Sequence, residues 1–239
     1  MVQRLDAAKV VETLERLEAR IGERFPESGL YRVCHDLVDT ASHTAGRASA
    51  LARPFILLRI ALALVITVGI SLQIFGLSRV DWAALTMNTE LATLAQGLDA
   101  TVNLAVLTGA GIWTLMSLES RLKRHRVLSR LHELRSFAHV IDMHQLTKDP
   151  TIILAATKPT ASSPKREMNR SQLTRYLAYC SEMLAMVGKL AALYAEGNRD
   201  PLVIAAVNEI ENLTADLGRK IWQKITILTE LQQSADSPA

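Results

Sequence analysis

The sequence predicts an all-α fold: a two-span transmembrane helical hairpin carrying a cytoplasmic helical bundle with a coiled-coil-like stalk. Three observations predict it. Residues 60–77 and 100–118 are uncharged runs that span roughly 27 and 28 Å as helix, close to the thickness of bilayer hydrocarbon. Elsewhere apolar residues recur at spacings of three and four, and no stretch shows the period of two that a half-buried strand requires. Of the 239 residues, 49% are hydrophobic and only 21% charged, so most of the chain has the material to bury a core and is not disordered. A net charge of +3 with 5% aromatic residues gives neither a basic surface nor a stacking platform for nucleic acid.

Residues 1–53 read as N-terminal cytoplasmic helices. Val10, Leu14, Leu17 and Ile21 form one apolar seam between charges, which Gly22, Pro26 and Gly29 interrupt. A second helix over about residues 30–51 puts Leu30, Val33, Leu37, Ala41, Ala45 and Ala48 on one side. The transmembrane hairpin covers residues 54–118, with spans at 54–77 and 100–118 and an extracytoplasmic loop at 78–99. Arg59 lies one turn inside the first span, where its methylenes stay in hydrocarbon while the guanidinium reaches the headgroups. A cleaved signal peptide is a poor alternative, because this first apolar run follows some fifty residues of charged, amphipathic chain.

The second span continues without a break into a cytoplasmic stalk helix, residues 119–150. There is no proline from Arg59 to Asp149, and one three-four register runs from Asn103 through Ala110, Ser117 and Arg124 to Leu131, Ala138 and Gln145. The leucines of this seam serve either an oligomerising stalk or packing against the chain's own helices; the sequence leaves both open. A linker follows at residues 151–168, where Pro159 and Pro164 exclude continuous helix. Residues 169–233 read as a C-terminal helical hairpin, its first seam formed by Leu173, Leu177, Cys180, Leu184, Val187, Ala191 and Tyr194. Gly197 and Asn198 stop that helix, Asp200 and Pro201 suit the N-cap and first position of the next, and residues 234–239 form a disordered tail.

Orientation follows from the basic residues beside the spans, which keep to the cytoplasmic side. Arg47, Arg53, Arg121, Lys123, Arg124, Arg126 and Arg130 flank the two outer ends, against Arg79 alone in the connecting loop. Both termini are therefore expected in the cytoplasm of a cell with a bacterial-type inner membrane. Arg121, Lys123, Arg124 and Arg126, at the exit of the second span, are placed to contact anionic lipid headgroups rather than nucleic acid.

Candidate chemistry is sparse. His35, Asp39 and His43 are four residues apart and share a helix face, a spacing suited to a divalent ion. His125, His132 and His139 repeat every seven, with Asp142 three residues after the last, so His139 and Asp142 are the partners with which the first set would form a metal or proton-sensitive site; solvated histidines are the simpler reading. Thr67, Ser71, Asn103 and Ser117 place polar groups within the spans, to line a pore or to hold helices together. Catalytic templates fail: His132-Glu133 lacks the second histidine of a zincin, and Gly188-Lys189 has Met183 where a phosphate loop needs glycine. Cys34 and Cys180 form no CxxC, and Cys180 lies on an apolar seam as a small buried hydrophobe. No cofactor is implied and an enzyme is not expected.

The functional expectation is a non-enzymatic, homo-oligomeric membrane adaptor or scaffold whose cytoplasmic helices bind a protein partner or one another. In architecture alone, two spans with an all-helical cytoplasmic part resemble the small two-span effectors of bacterial antiphage systems. That resemblance implies the alternative, a gated pore or membrane-permeabilising effector triggered through its cytoplasmic helices.

Overall fold

A computed structural model describes residues 5–51, 56–78, 91–148, 168–196 and 198–236. Among them are six helices and no strand: α1 (Ala7–Arg24), α2 (Gly29–Leu51), α3 (Ile56–Ser78), α4 (Leu91–Leu146), α5 (Arg170–Ala195) and α6 (Pro201–Asp236). Arg53, most of the expected outer loop with Arg79, the linker prolines Pro159 and Pro164, Gly197, and residues 237–239 of the expected tail lie outside the described residues. The chain divides into two compact units, Met1–Ala50 with Arg126–Ala239, and Leu51–His125.

The larger unit is built on apolar seams closed by local caps. Asp6 caps α1 by accepting from the Ala8 N–H, and Val10, Leu14, Leu17 and Ile21 are buried along one face. Ser28 caps α2, its hydroxyl accepting from the Tyr31 N–H at 3.1 Å and donating to the Phe25 carbonyl at 2.8 Å. The buried face of α2 carries Leu30, Cys34, Leu37, Ala41 and Thr44. The expected seam named Val33 instead of Cys34; Val33 is only half-buried, because the helix presents the neighbouring position to the core. α5 starts in a capping box in which Asn169 and Gln172 each satisfy the other's backbone N–H. Asp200 caps α6 by accepting from the Leu202 N–H at 3.0 Å, and Pro201 takes the first helical position.

Helix α5 fills the middle of this unit and is buried on most sides, from Leu173 to Tyr194. It packs along α6 and against α1, and Phe25 meets the Tyr176 and Tyr179 rings edge-on at centroid distances of 5.5 and 6.3 Å. From Val127 onward one face of α4 is buried through Leu131, Leu134, Ala138 and Ile141 to Gln145. The chain's own helices therefore cover this leucine seam. Arg135 of α4 pairs with Glu209 of α6 at 2.8 Å, an exposed pair that adds little to stability.

The smaller unit is different. α3 and the first half of α4 run antiparallel, because Val65 lies beside Gly111 while Gly69 lies beside Thr108. A Cβ at Gly69 would come within 2.6 Å of the Thr108 methyl, so glycine is what lets these backbones approach. Other side chains are left outside: Leu57 is 81% exposed, Leu107 70% and Trp113 71%. Among the described residues three helices are long and apolar enough to cross a membrane, and burial separates them. In their most apolar stretches 6% of α3 and none of α4 is buried, against 61% of α5.

Leu177 is fully buried on α5 whereas Met143 on α4 is 67% exposed. Leu177→Ala is expected to destabilise the larger unit by about 2–5 kcal/mol, and Met143→Ala to stay within about 0.5 kcal/mol, in denaturant melts of the detergent-solubilised chain.

Candidate functional site

Antiparallel packing of α2 on α4, with α5 beneath, forms a pocket of about 230 Å³ lined by Asp39, Thr40, His43, Thr44, Arg130, Glu133 and Tyr194. Its floor is hydroxylic: Thr44 Oγ1 donates to the Thr40 carbonyl at 2.8 Å and lies 3.1 Å from the Tyr194 hydroxyl, and both residues are buried. The rim is ionic. Arg130 Nη1 is 2.9 Å from Glu133 Oε2, and His43 Nε2 is 3.7 Å from Asp39 Oδ1, all on substantially exposed side chains. The arrangement can offer hydrogen bonds and both signs of charge to a small polar molecule or to water.

The α2 set therefore does meet α4, but at Arg130 and Glu133. His139 is exposed and Asp142 is turned to Gln145, so these two are not brought to the α2 set. His35 is engaged elsewhere, its Nδ1 2.7 Å from Glu18 Oε1 of α1. Among the described residues, no three of His, Cys, Asp and Glu come close enough together to hold a metal ion. Burial pushes the Cys34 and Cys180 thiols up to about 12, so at neutral pH both are protonated and unreactive.

A second polar cluster joins the end of α4 to α6 and to α2. Gln145 is 2% exposed, donates to Asp142 Oδ1 at 2.5 Å, and accepts from Lys224 Nζ at 2.6 Å on its side chain and 3.2 Å on its carbonyl. The Lys148 ammonium lies over the Tyr176 ring, 5.6 Å from its centroid. The His144 ring fills the space beside Gly29 at the start of α2. Burial, and then the Arg32 and Lys148 charges, hold His144 below the ordinary imidazole value, whereas the hydrogen bond and charge of Glu18 raise His35. Sequence reasoning missed Lys224 and the pocket, since neither a lone lysine nor a threonine in a helix marks itself. Gln145, by contrast, ends the leucine seam in register.

The basic residues and the polar span residues are placed as follows. Arg121 and Arg126 are exposed on α4, Arg124 is half-buried, and Lys123 pairs with Glu119 at 2.6 Å. Thr67 donates to the Ala63 carbonyl at 2.8 Å, Ser117 to the Thr114 carbonyl at 3.0 Å, and Asn103 to Asp99 at 3.2 Å; Ser71 is exposed on α3. The bonded hydroxyls are satisfied by their own helices. No known family model, curated protein or solved structure matches the chain.

The two shifted histidines give opposite limbs to the pH dependence. With His144 held low, the unfolded chain takes up a proton first as pH drops below 6.5, so stability is lost on that side. With His35 raised, its contribution is complete below 6.5 and is lost as pH rises through the folded value. Melting temperatures followed across pH are expected to show a shallower acid limb in His144→Gln and a shallower alkaline limb in His35→Gln.

Proposed function

We propose that the chain is an integral protein of an inner membrane, held by a two-span helical hairpin made of α3 and the first half of α4. Both termini lie in the cytoplasm, and the other helices form a bundle that acts as a non-enzymatic, self-associating adaptor for a cytoplasmic protein. One contrast carries this reading. Large apolar side chains are left uncovered in a continuous run on α3 and on the first half of α4, whereas α1, α2, α5, α6 and the second half of α4 each bury an apolar seam and leave out only scattered residues such as Met143 and Trp222. Water does not tolerate so extensive an uncovered apolar surface, while hydrocarbon requires it. α5 passes the same length and composition test, but its burial against its neighbours supports a core helix.

The basic residues Arg121, Lys123, Arg124 and Arg126 support the orientation and contact anionic headgroups, each worth about 1 kcal/mol at such a surface. Internal pairing supports the scaffold role: among the described residues no buried side-chain nitrogen or oxygen lacks a hydrogen-bond partner. Thr67 and Ser117, bonded to their own helices, can face lipid or a neighbouring helix without water, which supports helix packing over a pore.

The expected outcome is that the chain stays with carbonate-washed membranes. A fluorescent protein is expected to light at either terminus, and alkaline phosphatase to be active only when inserted within residues 79–90. A chain soluble without detergent, or an active phosphatase at its C-terminus, overturns the reading.

A further inference from the structure

Basic side chains gather where the last turn of α4 meets α2, α5 and α6. The His144 ring takes the space that a Cβ at Gly29 would need, at the first position of α2, and Arg32 stands one turn further along that helix. Lys148 and Lys224 converge on one carbonyl, that of Gln145, to which the Lys148 backbone N–H donates at 3.1 Å and Lys224 Nζ at 3.2 Å. Lys224 Nζ is also 2.6 Å from Gln145 Oε1, and the Lys148 ammonium lies over the Tyr176 ring of α5. An amide oxygen and a phenol ring solvate these cations without neutralising them. Tyr176 adds no negative charge, because burial pushes its hydroxyl well up.

Negative charge is short here. Arg20 meets Glu182 and Arg135 meets Glu209 between helices, but among the described residues Arg32, Lys148 and Lys224 have no carboxylate within ion-pair distance. Asp142, on α4, gives its Oδ1 to Gln145. The carbonyls at the end of α4 offset about half an elementary charge, well short of three cations. His144 registers the imbalance: a helix C-terminus favours imidazolium, yet burial and then the Arg32 and Lys148 charges hold this ring below its ordinary value. We propose that the cluster is an anion site, which receives a phosphate group of a small solute between Arg32, His144 and Lys148, with Lys224 adding its charge from α6. A phosphate offers three acceptor oxygens and up to two negative charges, a match for a guanidinium fork and ammonium donors that a single carboxylate does not equal. Arg32 is exposed while His144, Lys148 and Lys224 are half-buried, so the site is open to solvent on one side and its charges are less screened than on a bare surface. A bound phosphate ties the first turn of α2 to the end of α4 and makes the firmness of the bundle respond to that solute. The proposal stands apart from the membrane reading and from self-association.

The test follows the ring protons of the histidines by NMR across pH, in the full chain in non-ionic detergent, with inorganic phosphate, acetate or chloride at matched ionic strength. His144→Gln assigns the signal. A bound anion favours imidazolium, so phosphate is expected to make His144 take up its proton roughly one pH unit higher than in chloride, and to leave His35, held by Glu18, unmoved. Arg32→Gln and Lys148→Gln make no ion pair to lose, so both are expected to melt in chloride close to the wild type, and each to weaken phosphate binding roughly tenfold. Lys224 is left intact because it also holds Gln145. A His144 titration that is the same in phosphate and chloride, a shift shared equally by His35, an equal shift in acetate, or an affinity unchanged in both variants overturns the proposal.

Discussion

One helix has to satisfy two surroundings in succession, and the rest of the structure depends on it. α4 runs unbroken from Leu91 to Leu146, so its backbone polar groups are paired wherever it lies, and only its side chains distinguish one environment from the other. In the first half, large residues such as Val106 and Trp113 are uncovered; from Val127 the same register is packed under other helices. There is no proline near the change, so each amide there keeps its intrahelical acceptor. The uninterrupted hydrogen-bond ladder makes the change of side chains sufficient.

Much of this was legible because helical periodicity and length are local signals. The α1 seam is buried as spaced, at Val10, Leu14, Leu17 and Ile21, and Asp200 with Pro201 opens α6. The all-helical class follows from the same periodicity. Less legible were features set by which helices become neighbours. Val33 and Cys34 are adjacent and both apolar, and only the packing of α2 decides that Cys34 goes inside. α5 shares with α3 and α4 the length and apolar composition of a membrane-crossing helix, and what sets it apart is burial, 61% of its most apolar stretch against 6% and none.

The candidate site divides in the same way. The spacing of His35, Asp39 and His43 does put them on one helix, but spacing cannot report that Glu18 of α1 takes up His35 or that Arg130 and Glu133 complete the pocket beside Asp39 and His43. His139 is exposed, and Asp142 bonds Gln145, which Lys224 from a helix distant in sequence bonds in turn. The buried polar groups Thr44 and Gln145 each combine a partner on their own helix with one on another, and spacing along a single helix reports only the first.

The state of the two sulfhydryls has a practical consequence. Cys34 and Cys180 are both fully covered and hold their protons at neutral pH. An alkylating reagent will pass them by until α2 or α5 comes away from its neighbours, so the rate at which the untouched chain takes up label measures how often those helices open.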